Sequence, residues 1–164
     1  GIETVYQAQA VVSDMNVSQN IFLGRELKKR FGPIEILDKK RMDEEARKIT
    51  EYLNLNIATP KQEVRFCSGG ERQGVAIARA IYFKAKLVIL DEPTTALSVS
   101  GAERVLSFVK RLKKEGISCI IVTHNIHHVY SVADKFIIIS RGKIVEKLEK
   151  SNITKNQLIS KLTQ

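Results

Sequence analysis

Leu87-Val88-Ile89-Leu90-Asp91-Glu92-Pro93-Thr94 is an apolar run that ends in two acids and a proline. A short aliphatic run bounded by turn formers predicts a buried strand over 86–91. Further on, Ser118-Cys119-Ile120-Ile121-Val122-Thr123 repeats the pattern and predicts a second buried strand over 118–123. Between them Val105, Phe108, Val109 and Leu112 fall at i, i+3, i+4 and i+7, one face of a helix over 100–115. Ser100 with Glu103 fits a capping box at its start, and Gly116 supplies a left-handed stop. Strand, helix and strand of these lengths predict a right-handed βαβ unit in a parallel sheet.

Beyond this unit, 136–140 and 143–148 read as two further strands joined by a hairpin turn at Arg141-Gly142. Upstream the pattern is helical. Asp38 caps a helix whose inner face carries Met42, Ala46, Ile49 and Leu53, and a shorter helix is expected over 16–23. Ser68 opens a third helix, with Val75, Ala78 and Ile81 spaced for burial. The connections around Gly32-Pro33 and Thr59-Pro60 read as polar loops. A mostly helical layer over 1–83 is thus expected to precede an α/β layer over 84–164.

The chain has 164 residues, with 27 Lys+Arg against 18 Asp+Glu, a net charge of +9 and a pI near 9.6. Its 43% apolar content is too high for a disordered chain. The longest apolar stretches, 87–90, 119–122 and 136–139, fall far short of the roughly 18 residues that span a bilayer. No basic-then-apolar signal segment opens the chain. Cys67 and Cys119 alone cannot build a disulfide framework or a zinc site, so the chain reads as cytoplasmic and reduced. The cations fall in separate clusters, 25–30, 39–41, 110–114 and 141–147, and no Trp is present for stacking on bases. This argues for solvated surface, or attraction to an anionic ligand or membrane-side partner, over a nucleic-acid stripe.

The acids Asp91 and Glu92 arrive at the C-terminal edge of a strand, where parallel α/β sheets bind ligands. In nucleotide hydrolases the first such acid holds Mg²⁺ through its water shell and the second polarises the attacking water. A strand running into a polar loop is the plainer alternative. Cys67-Ser68-Gly69-Gly70-Glu71 precedes the third helix, and Ser68 with Glu71 fits a capping box. Two glycines in a first turn cost about 1 kcal/mol each, which makes sense where the backbone approaches a phosphate. His124 follows the second strand and is expected on the same edge as the acidic pair.

In order and spacing, the run Ser68-Gly69-Gly70-Glu71-Arg72-Gln73, the helix residues Val75-Ala76-Ile77-Ala78-Arg79-Ala80, the strand ending Asp91-Glu92-Pro93-Thr94, and His124 resemble the ATPase subunit of ABC transporters. The resemblance covers nearly the whole chain. It implies an α/β fold: a P-loop NTPase (RecA-like) core, incomplete here, with an α-helical signature subdomain. Under it Ser68, Gly69, Gly70 and Glu71 belong to the signature motif, which completes a partner subunit's ATP site. Asp91 is the Mg²⁺ acid, Glu92 the catalytic base, and His124 the switch histidine at the γ-phosphate. Gln7 looks like the Q-loop glutamine, which senses Mg²⁺ and water and flanks the cleft for the membrane subunit. Asn20-Ile21-Phe22-Leu23-Gly24-Arg25-Glu26 and Arg72-Gln73-Gly74-Val75 are similar to the carbohydrate-importer branch.

The implied cofactors are ATP and Mg²⁺. The implied partners are transmembrane permease subunits, a second ATPase subunit packed head to tail, and indirectly a solute-binding protein, at the cytoplasmic face of the membrane. The transported solute would be small, a sugar by branch resemblance. Some positions depart from the family pattern: Cys67 stands where Leu is usual, Glu71 where Gln is commonest, and Ser98 where the loop after the acidic strand usually carries Asp. The P-loop pattern Gly-x-x-x-x-Gly-Lys-Ser/Thr does not occur in the sequence. The chain is therefore expected to be a C-terminal part cut just before its Q-loop, inactive as an ATPase by itself and prone to self-association through an exposed sheet edge. Two rivals remain at this stage: a soluble ABC-type ATPase acting on nucleic acid or ribosomes, and a non-catalytic partner that lends its signature to a complete ATPase.

Overall fold

A computed structural model describes residues 1–6, 11–95 and 97–162. The chain divides into two compact units, Gly1–Val122 and Thr123–Gln164.

The first unit is built on a parallel sheet of β1 (Ile2–Val5), β4 (Leu87–Asp91) and β5 (Ser118–Val122), in the order β1-β4-β5. The βαβ unit anticipated from residues 86–123 is present, its crossover being α4 (Val99–Lys114). β1 was not legible as a strand. Its apolar residues are few, and only pairing with β4, Ile2 against Leu87 through Val5 against Leu90, holds it extended.

Between β1 and β4 lie α1 (Val17–Phe22), β2 (Lys28–Phe31), β3 (Ile34–Leu37), α2 (Lys39–Tyr52), a 3₁₀ turn at Val64–Phe66, and α3 (Gly69–Tyr82). β2 and β3 form an antiparallel hairpin where the sequence reads as a polar loop. Asn16 caps α1, its side chain accepting from the Gln19 amide, and Asp38 caps α2 through the Arg41 amide. Met42, Ala46 and Leu53 are buried as the periodicity predicts, with Thr50 buried among them. The cap of α4 corrects the sequence reading. Ser98, not Ser100, is the N-cap, its Oγ accepting from the Gly101 amide at 3.2 Å, so the cap lies two residues earlier.

Helix α3 packs against β1, α1 and α4, and α4 packs against β5. In-register residues of a parallel sheet share a face, so Val5, Val88 and Leu90 are buried on the helix side, and the half-buried Cys119 lies on the same face, its thiol pushed up to about 11 by partial burial. Ile2, Ile120 and Val122 on the other face are exposed. Gly74 is where α3 comes closest to its neighbours: a Cβ there would stand 2.3 Å from Leu55 Cδ2 and 3.2 Å from Phe108 of α4.

The second unit holds α5 (Ile126–Val129), the antiparallel strands β6 (Lys135–Ser140) and β7 (Lys143–Glu149), a 3₁₀ turn at Lys150–Asn152, and α6 (Lys155–Leu162). Arg141 and Gly142 both take positive φ, 49° and 75°, the paired left-handed turn that suits a two-residue hairpin. Phe136, Ile138, Ile153 and Leu158 form its core. Tyr130 stacks on Phe136 at 5.7 Å, and its hydroxyl donates to the Ile153 carbonyl at 2.8 Å. Helix α6 was not anticipated, because Leu158 alone anchors its inner face.

Candidate functional site

Ser68 Oγ accepts from the Glu71 amide at 3.3 Å, and Glu71 Oε2 accepts from the Ser68 amide at 2.8 Å. This reciprocal capping box leaves the Gly69 and Gly70 amides at the α3 N-terminus without an intrahelical acceptor. Glu71 is buried, and its other oxygen lies 3.7 Å from Arg104 of α4. Its carboxylate is thus held by the turn and by the neighbouring helix.

The glycines have a packing reason that periodicity did not reveal. A Cβ on Gly70 would sit 3.3 Å from the Gly101 backbone, and one on Gly69 would meet Leu97 Cδ2 at 2.6 Å. The first turns of α3 and α4 touch through glycine. Between them lies a concavity of about 310 Å³ lined by Ser68, Gly69, Gly70, Leu97, Ser98 and Arg104, among others. The structure therefore brings Ser98 to the Ser68–Glu71 turn. Leu97, Gly101 and Arg104 complete this concavity and were missed. Gly101 offered the signal, being another glycine in the first turn of an otherwise ordinary helix.

Asp91 ends β4 opposite Val122 of β5 and is half-buried. Glu92 follows at φ 44°, a left-handed backbone that a non-glycine residue adopts at a cost of roughly 1–2 kcal/mol. Its amide donates to the Val122 carbonyl at 2.9 Å, its carbonyl accepts from the Thr95 amide at 3.1 Å, and its Oε2 accepts from Thr95 Oγ1 at 3.0 Å. These bonds hold the strained turn and fix one carboxylate oxygen. His124 lies in the second unit, between the end of β5 and Asn125, which caps α5 by accepting from the His128 amide at 3.4 Å. Gln7 lies outside the described residues.

The donor chemistry suits Mg²⁺ and a nucleotide. Asp91 offers a hard oxygen at a strand end, and among the described residues no three His, Cys, Asp or Glu side chains converge on one point. Mg²⁺ is commonly held by one or two carboxylates plus phosphate oxygens rather than by an all-protein cage. The Gly69-Gly70 turn offers backbone donors and a helix dipole suited to phosphate.

Asn20 and Arg79 form a second element that sequence reading left without a role. The buried Asn20 side chain accepts from the Val12 amide at 2.7 Å and donates to the carbonyls of Val12, Met15 and Asn16. Arg79 of α3 donates through Nη2 to the Asn20 carbonyl at 2.6 Å, and burial lowers its pKa against the opposing pull of Glu3. Helix α3 is thereby tied to α1 and to the loop before it. Beside that loop a groove of about 680 Å³ is lined by Met15, Ser18, Leu23, Leu37, Met42 and Lys61, among others. Among the described residues, no helix is long and apolar enough to cross a membrane.

Residues 1–95 match the ABC transporter family. The chain belongs to that family. It is 44% identical over 155 residues to the xylose/arabinose import ATP-binding protein XylG of Sulfolobus acidocaldarius, covering 93% of this chain and 60% of that protein. It is 38% identical over 167 residues to the fructose import ATP-binding protein FrcA of Rhizobium meliloti, covering 99% of this chain and 64% of that protein. Among solved structures, a nucleotide-free ATP-binding cassette from an ABC transporter matches with TM-score 0.77 at 22% identity, covering 100% of this chain and 65% of that one. A dimeric cassette in a post-hydrolysis state, bound to ADP and Pi, matches with TM-score 0.71 at 22% identity, covering 91% and 62%. The fold is that of an ABC ATPase cassette, an α/β P-loop NTPase fold with a parallel sheet. The chain spans less than two thirds of the length of these relatives.

Proposed function

We propose that the chain is the signature-bearing and catalytic-base part of an ATP-hydrolysing subunit that powers import of a small solute, a sugar by its relatives' names. The observation that carries this is the end of β4, where Asp91 and a strained, bonded Glu92 emerge at the carboxyl edge of a parallel sheet. Bound Mg²⁺ would neutralise phosphate charge and orient the nucleotide. Asp91 would hold it, with Gln7 as a further ligand. Glu92 accepts a proton from water in the transition state, its position set by Thr95. His124 donates to the γ-phosphate oxygens. Ser68, Gly69 and Gly70 present donors to an ATP held mainly by a second subunit, while Glu71 and Ser98 keep the two helix starts in place around it.

In this reading residues 1–83 act as the Q-loop and signature part, and residues 84–164 as the second half of the ATPase core. The groove beside Met15, Ser18 and Leu37 takes a segment of a transmembrane permease. Its neighbour Asn20, bonded to Arg79, links that contact to the signature helix. The subunit would then sit peripherally at the cytoplasmic face, in a head-to-tail pair, with a solute-binding protein acting through the permease.

Without a P-loop sequence, residues 1–164 alone should give no heat with MgATP up to millimolar concentration in titration calorimetry. Joined to the upstream part of the fructose import ATP-binding protein, they should hydrolyse ATP. A chimera that folds and binds MgATP yet keeps its turnover in Glu92→Gln would sink the assignment. Micromolar MgATP binding by the chain alone would point to a different site.

A further inference from the structure

The hairpin of β2 and β3 is unlike any other part of the first unit. All eight strand residues are exposed, whereas a strand pair in water ordinarily buries one face. The register, Lys28 with Leu37, Lys29 with Ile36, Arg30 with Glu35 and Phe31 with Ile34, sorts the side chains onto two faces. One carries Phe31, Ile34 and Ile36, exposed to 75%, 62% and 40%, with Lys29 at its border. The other carries Lys28, Arg30, Glu35 and Leu37. Gly32, at φ 61°, turns the chain at the tip. The base is closed by the Asp38 amide donating to the Leu27 carbonyl at 2.8 Å.

Cations outnumber acids around these apolar residues, with Glu26 and Asp38 flanking the strands. Glu35 is the only acid within the two strands, and it lies 3.5 Å from Lys28. Among the described residues neither Lys29 nor Arg30 has a carboxylate within salt-bridge distance, and Lys39, Lys40 and Arg41 follow at the start of α2. Phe31, Ile34 and Ile36 are exposed and line neither of the two concavities described above. A protein partner would need a pocket shaped to receive them, whereas a lipid headgroup layer accepts a wedge of any outline. Apolar residues bordered by cations are the composition of elements that lie in an anionic membrane interface.

We propose that the β2–β3 hairpin is a membrane-surface anchor. Phe31, Ile34 and Ile36 enter the headgroup layer of an anionic leaflet, and Lys29 and Arg30 meet its phosphates. Leu37 at the hairpin base also lines the groove assigned above to the permease, so the lipid contact and the permease contact adjoin. The inference rests on the reading that the chain works at a membrane, yet it requires binding to lipid with no permease present.

The sequence has no Trp, so Phe31→Trp provides a lone reporter at the tip. The 164-residue chain carrying it is floated with vesicles of phosphatidylcholine alone, or of about three parts phosphatidylcholine to one part phosphatidylserine, as an anionic leaflet. The expected result is flotation with the anionic vesicles only, with a blue-shifted Trp emission. At about fivefold per cation, Lys29→Gln with Arg30→Gln should weaken that partition roughly twenty-five-fold. Lys110→Gln with Lys113→Gln on α4 should cost far less. Far-UV circular dichroism checks that each variant folds, and the Phe31→Trp emission decides if the charge variant does not. Absence of flotation overturns the proposal. So does flotation with unshifted emission, partition lost only in the α4 variant, capture only by vesicles holding a permease, or salt-steep RNA binding without vesicle binding. ATP turnover of the chimera in detergent is scored separately, so failure here leaves the import-ATPase reading to its own test.

Discussion

The turn at Ser68–Glu71 and the turn at Asp91–Glu92 carry the two halves of the proposed chemistry, and they are built in opposite ways. At the first, the cap and the packing agree: Ser68 caps, Glu71 answers it, and the glycines, though poor helix formers, let the starts of α3 and α4 touch. At the second, a glutamate sits where glycine is favoured, at φ 44°, restrained by hydrogen bonds to Val122 and Thr95. A capping box and a close helix contact suffice to explain the first turn as structure. At the second, the backbone conformation favours glycine, yet the residue is a glutamate. Strain retained at a charged, half-buried position points toward function, and on that ground Glu92 is the residue to which we propose to give more functional weight than to the glycines.

The largest expected effect sharpens this contrast directly. In the chimera, Glu92→Gln should lower ATP turnover by about 10²–10⁴-fold, the usual range for a general base, while its thermal midpoint stays near the parent's. A comparable loss of stability would make Glu92 a structural residue instead. Next comes the helix contact. Gly70→Ala and Gly74→Ala should each destabilise the chain by about 1–3 kcal/mol through overpacking, against Gly101 and against Leu55 with Phe108 respectively, as read by urea unfolding. Ser68→Ala should cost about 1 kcal/mol through loss of the cap, and Ser68→Asp, which can still cap, should recover most of it. The smallest effect has the opposite sign. Glu92→Gly should be more stable than Glu92→Ala by about 1 kcal/mol, because glycine takes positive φ without strain. Equal stability of those two variants would remove the strain argument and with it the contrast between the turns.

The two faces of the β1-β4-β5 sheet carry a further lesson. Val5, Val88 and Leu90 are covered by helices, while Ile2, Ile120 and Val122 are exposed. Parallel strands read as continuous apolar runs because both of their faces are ordinarily buried. An uncovered apolar face is a ready surface for association. Light scattering on the 164-residue chain should therefore report self-association, and Ile120→Lys with Val122→Lys should reduce it without unfolding the chain.

The βαβ unit, the terminal hairpin, the helix caps at Asp38 and Ser68, and the candidate residues Asp91 and Glu92 were legible in the sequence. Each rests on local rules: apolar period, the chemistry of a capping oxygen, or the left-handed tolerance of a turn. β1 and the β2–β3 hairpin were not legible. The first is set by pairing with a strand distant in sequence, and the second buries none of its strand residues, so no buried-face pattern marked it.

The sequence by itself determined the family, through residues whose order and spacing carry the motif, because that information is linear. Only the tertiary structure decided what those residues touch. It moved the α4 cap to Ser98, set the other oxygen of Glu71 beside Arg104, gave Gly69 and Gly70 a neighbour, and held Glu92 in a left-handed turn. Contacts between segments far apart along the chain have no signature in local periodicity, since they are fixed by how the helices close over the sheet.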